Sequence, residues 1–145
     1  MAGISFVIDD AVASIVRAPL VTPFRIATGQ HDELENVFLR LRTGDGICGY
    51  GEAAIATHIT GETVAVTLEN LKAAAATLRG RRVDDPEAVV REFSPSFNGN
   101  HAGLAALETA VLDISPACRE SHFTGSLLRL WAKSRYCRLP PISPS

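Results

Sequence analysis

A chain of 145 residues, 46% hydrophobic and 21% charged, has the size of one soluble domain with a real core and falls far short of the roughly 250 residues of a (β/α)8 barrel. Its net charge of −2 gives no electrostatic footprint for nucleic acid or an anionic membrane surface, and no apolar run approaches the roughly 18 residues of a membrane span. The N-terminus lacks a basic start followed by an apolar stretch, and Cys48, Cys118 and Cys137 form neither a disulfide framework nor a zinc pattern, so a cytoplasmic protein without a signal peptide is expected.

Residues Ile4 to Ala18 carry extended signals: Ile4, Phe6 and Ile8 alternate, and Val12, Ile15 and Val16 continue the β-branched run. Pro19 and Pro23 interrupt it, and Gly29-Gln30-His31-Asp32 has loop chemistry. Asn36 to Thr43 is the clearest strand, with Val37, Leu39 and Leu41 on one face and Phe38, Arg40 and Arg42 on the other. Thr43-Gly44-Asp45-Gly46 supplies the glycines a tight hairpin turn requires, after which Ile47 to Ala54 returns antiparallel. The predicted sheet is a three-stranded meander.

The pattern changes at Thr60. Val64, Val66, Leu68, Leu71, Ala75 and Leu78 have helical spacing, with Thr60 as the expected N-cap and Gly80 as the C′ glycine. A second helix starts at Asp84 or Asp85 with Pro86 in its first turn and Val89, Val90 and Phe93 inward. Ser94 to Gly99 is a break. A third helix runs from Asn100 through Leu104, Ala105, Leu107, Ala110, Val111 and Leu112, until Ile114-Ser115-Pro116 stops it. Strands followed by a three-helix cluster define an α+β fold.

Beyond Asp113 the composition shifts. The final segment holds five of the fourteen Lys and Arg but one acid, Glu120, together with the sole Trp131 and half of the eight prolines. Residues 1–113 are therefore expected to form the domain, and 114–145 reads as an out-of-frame or otherwise divergent tail.

Gly44-x-Gly46-x-x-Gly49 matches a dinucleotide fingerprint as a string, but that fingerprint needs a helix after the glycines, and a strand follows here. His31, His58, His101 and His122 show no metal-ligand spacing. Asp9 and Asp10, adjacent on a strand, should point to opposite faces and share no ligand, while Asp84-Asp85 suits a helix start.

Gly46-Ile47-Cys48-Gly49-Tyr50-Gly51-Glu52-Ala53-Ala54 and Ile59-Thr60-Gly61-Glu62-Thr63, with Thr22-Pro23-Phe24-Arg25-Ile26-Ala27-Thr28-Gly29 upstream, resemble the N-terminal capping domain of the enolase superfamily. Within it the chain is most similar to the mandelate racemase/muconate lactonizing branch and its dipeptide epimerases, of the L-Ala-D/L-Glu type; the likeness covers about residues 4 to 113. The resemblance implies that two loops, about Leu20 to Gln30 and Ile55 to Thr60, fold over a barrel mouth to admit substrate and exclude water. Arg25, Ile55, His58 and Ile59 are the substrate-contacting candidates it carries over, with Arg25 as partner of a substrate carboxylate.

In the family, barrel lysines move the α-proton and barrel carboxylates hold Mg2+, and none of these has a counterpart here. The resemblance therefore implies a truncated isomerase domain, inactive alone, with no cofactor of its own and a dipeptide-like substrate only when a barrel is supplied. Apolar surface left uncovered by a barrel leads to the expectation of a homo-oligomer. The alternative is a stand-alone interaction module using the barrel-facing surface and basic tail.

Overall fold

The computed structural model describes residues 5–27 and 29–115. Of the expected tail at 114–145, the part from Pro116 onward, with Cys118, His122 and Cys137, lies outside the described residues.

Strand β1 (Phe6–Ile26) and strand β2 (Gly29–Thr43) form one long antiparallel hairpin. Ile15 faces Val37 near its middle and Ile26 faces Gly29 at its far end. The pattern predicts a first strand ending near Pro19 and a loop at Gly29 to Asp32; the ladder instead slips register between Pro19 and Phe24 and resumes. Proline has no N–H to donate, so the ladder is interrupted where Pro19 and Pro23 lie without ending the strand pair.

Strand β3 (Cys48–Ala53) pairs antiparallel with β2, and the glycine turn is where the sequence puts it. Gly46 adopts φ +86° and donates to the Thr43 carbonyl at 2.9 Å. A fourth strand, β4 (Arg82–Val83), pairs with Phe6 and Val7, giving the order β3-β2-β1-β4. Two residues are too few to show a period, which is why the sequence pattern gave no sign of it.

The sheet is followed by helix α1 (Thr57–Thr60), α2 (Val64–Leu78), α3 (Pro86–Phe93), a 3-10 turn at Ser94–Phe97 and α4 (His101–Ile114). Thr63, not Thr60, caps α2: its hydroxyl accepts from the Val66 N–H at 3.2 Å, and Thr60 closes the separate helix α1. Gly80 at φ +75° follows α2 as expected. Asp85 caps α3 by accepting from the Glu87 and Ala88 N–H groups at 3.0 and 3.1 Å, with Pro86 in the first turn.

One face of the sheet and the inner faces of α2 and α4 make the core, where Ile8, Leu39, Leu41, Leu71, Leu107 and Val111 are fully buried. On α2 the inward residue is Thr67 rather than Val66, and on α4 it is Ala106 rather than Ala105. Helix α4 lies directly on β3: a Cβ on Gly51 would overlap the Ala106 carbonyl, and one on Gly49 would come within 2.7 Å of the Ile114 Cβ. Glycine at both positions is what lets helix and strand meet.

The two adjacent acids behave differently from a regular strand. A register irregularity between Ile8 and Asp10 lets both side chains reach arginines two apart on β2, Asp9 to Arg42 at 2.9 Å and Asp10 to Arg40 at 2.8 Å. The expectation of opposite faces assumed an unbroken pleat, which a bulge removes. Their role is ion pairing within the sheet.

Candidate functional site

The segment after β3 and the middle of the β1–β2 hairpin enclose an open cavity of about 550 Å3. Leu20, Leu34, Ile55 and Val64 give it apolar walls, while Glu35, Asn36 and His58 add polar groups. Glu35 is engaged by an ion pair with Arg17.

Asn36 fixes the start of the 55–60 segment. It is buried, its Nδ2 donates to Glu52 Oε1 at 2.6 Å, and its Oδ1 accepts from the Ile55 N–H at 3.5 Å. Helix α1 then turns back in hydrogen bonds to Ala56 and Thr57, and Gly61, at φ +76°, ends it by donating to the Thr57 carbonyl at 2.9 Å. A residue with a Cβ is strained in that left-handed conformation, so glycine sets the exit of the segment.

Glu62 follows. Its Oε1 accepts from the Ala102 N–H at 2.8 Å and from Asn100 Nδ2 at 3.1 Å. The Ala102 N–H foremost, with the Thr60 and Asn100 hydrogen bonds and the nearby His101, holds the Glu62 carboxyl below the ordinary glutamate range against the opposing effect of burial.

Of the four sequence candidates, Ile55 and His58 line the cavity and Arg25 and Ile59 do not. Arg25 lies at the far end of the hairpin, where its Nε donates to Gln30 Oε1 at 3.0 Å and Gln30 donates onward to Asp32 at 2.6 Å. Ile59, in α1, is 76% exposed. Leu34, Asn36 and Glu62 are not among the candidates the sequence offers, and Leu20 enters only as the start of the 20–30 loop. Around the apolar pair the sequence shows loop chemistry or no clear period, and the partners of Asn36 and Glu62 are too far along the chain for any local spacing to reveal them.

Among the described residues no three His, Cys, Asp or Glu side chains gather where they could hold a metal ion. No described helix is long and apolar enough to cross a membrane. The donor set among the described residues does not fit a Mg2+ site.

A four-stranded antiparallel sheet backed by helices, with a rim segment tethered beside one cavity, is the α+β architecture of an enolase-type capping domain. The model of the mandelate racemase / muconate lactonizing enzyme N-terminal domain matches residues 10–121, and the chain belongs to that family. It is 69% identical over 116 residues to a hydrophobic dipeptide epimerase of Citrifermentans bemidjiense, covering 80% of this chain and 32% of that protein.

Among solved structures, a dipeptide epimerase from Methylococcus capsulatus in complex with Mg and L-Arg-D-Lys is 32% identical, with a TM-score of 0.64 over 74% of this chain and 30% of its own. A mandelate racemase/muconate lactonizing protein from Herpetosiphon aurantiacus is 28% identical, with a TM-score of 0.66 over 75% of this chain and 30% of its own. The chain spans about a third of the length of the proteins it matches.

Proposed function

We propose that this domain caps the active site of a dipeptide epimerase-type isomerase and selects apolar dipeptides, while the proton transfer itself is supplied by residues beyond it. The observation that carries this reading is the cavity beside the 55–60 segment, walled by Leu20, Leu34, Ile55 and Val64. Apolar walls favour an apolar side chain because water leaves both surfaces on contact. The 69% identity with a hydrophobic dipeptide epimerase supports the same choice over the Ala-Glu type.

The acid–base step needs a group of suitable pKa and a cation at the developing enediolate charge. Arg25 stays protonated and is no base, and His58 stands among no metal-ligand cluster in the described residues. The isolated chain is accordingly inactive. Incubation with an L,L-dipeptide in D2O, with and without Mg2+, tests this by following α-proton exchange by NMR. No exchange above the buffer blank is expected; exchange that disappears in His58→Ala overturns the reading.

A further inference from the structure

Glu62 is the buried carboxylate among the described residues, at 9% exposure, and the capping role alone gives it no task. Taking a charge out of water is costly unless its oxygens are hydrogen-bonded, so its partners define what it does. All of them belong to two places. One is the start of α4: the Ala102 N–H and Asn100 Nδ2, the latter also donating to Thr67 Oγ1 at 2.8 Å, while Asn100 Oδ1 accepts from Asn70 at 3.2 Å. The other is the end of α1, where Thr60 Oγ1 accepts the Glu62 backbone N–H at 3.2 Å.

Asn100 occupies the N-cap position of α4 without a capping bond of its own. Glu62, 40 residues earlier than Ala102, supplies the acceptor instead, at the helix end whose dipole favours a negative charge. Helix α1 has four residues and none of them buried, too little to hold its own conformation in water.

We propose that Glu62 is a positioning residue that locks the Thr57–Thr60 rim of the cavity onto the N-terminus of α4. The rim's other end is held by Asn36 through Ile55, so Ile55 and His58 sit on a strap anchored at both sides. The functional weight of this lock rests on the capping role; the lock itself does not. Hydrogen exchange needs no catalysis, so the D2O experiment above can fail while Glu62 still holds the rim, and the reverse.

The experiment is amide hydrogen exchange on the full chain. The N–H groups of Ile59, Thr60 and Gly61, bonded to Ala56 and Thr57, report on the rim. In Glu62→Ala they are expected to exchange at least about tenfold faster, with the amides of β2 and α2 within about twofold of wild type. Glu62→Gln keeps an oxygen facing Ala102 and restores part of the protection. Thr60→Val cuts the link from the exposed rim side and gives the same local loss, which keeps a readout should Glu62→Ala not fold. Wild-type rates at residues 59–61 in Thr60→Val and in the Glu62 variants overturn the proposal, as does a loss spread equally through the sheet.

Discussion

Asp113 accepts the backbone N–H of Tyr50 at 2.9 Å, a hydrogen bond spanning 63 residues of sequence. Tyr50 lies in the middle of β3, one of the two edge strands, and its N–H would otherwise be part of an open sheet edge. Gly49 and Gly51 on either side let α4 come close enough to deliver the carboxylate. Two small residues and one acid together close the edge.

Removing that acceptor should therefore cost stability. Asp113→Ala leaves the Tyr50 N–H without its partner and is expected to lose about 1–3 kcal/mol, with Asp113→Asn retaining most of it through its amide oxygen. Urea unfolding with an unchanged m-value measures the difference. Equal midpoints for wild type and Asp113→Ala would refute the edge-closing role.

Gly51→Ala is expected to cost about 3 kcal/mol or more, because the new methyl overlaps the backbone carbonyl of Ala106, which has no flexible end to move aside. Gly44→Ala is the matched control: nothing lies within 4 Å of its would-be Cβ, and it should stay within about 0.5 kcal/mol. Thermal melts of both variants decide the comparison, and a Gly51→Ala protein as stable as Gly44→Ala contradicts the packing argument.

Local rules carried the sequence reading as far as local rules govern the fold. Val37, Leu39 and Leu41 alternate because that strand has one buried face, and Gly44 to Gly46 and Asp85-Pro86 mark their turn and helix start by backbone chemistry alone. Gly29 to Asp32 misled because polar, glycine-containing runs suit a loop and equally an exposed hairpin end. Asp9 and Asp10 misled because a bulge changes which face a side chain joins. Of the residues the resemblance names, Ile55 and His58 line the cavity, while Arg25 bonds Gln30 at the hairpin end. Glu62 stood in plain view inside a quoted motif, but its meaning depends on Asn100, 38 residues on.

The protonation of Glu62 makes stability depend on pH in a defined direction. Its folded-state pKa lies below the unfolded value, chiefly because the Ala102 N–H stabilises the carboxylate. The stabilisation is thus fully present above the ordinary glutamate range, near about pH 4.3, and is lost as pH falls through the lowered folded value. Melting temperatures of wild type and Glu62→Gln should differ by a constant amount between pH 7 and about pH 5, and the wild-type advantage should shrink below that. A wild-type advantage that grows on acidification would contradict the sign.

The late position of Asp113 also has a consequence in time. Synthesis delivers β1, β2 and β3 first, and the sheet can pair as soon as they emerge, but the helix that shields β3 comes more than forty residues after that strand ends. During that interval the nascent chain carries a paired sheet with a bare outer strand, the kind of edge that recruits other strands. Crowding of ribosomes on one message, or a pause before codon 101, would therefore act on this domain at its most adhesive moment, and the burden of keeping it single falls on whatever holds nascent chains apart.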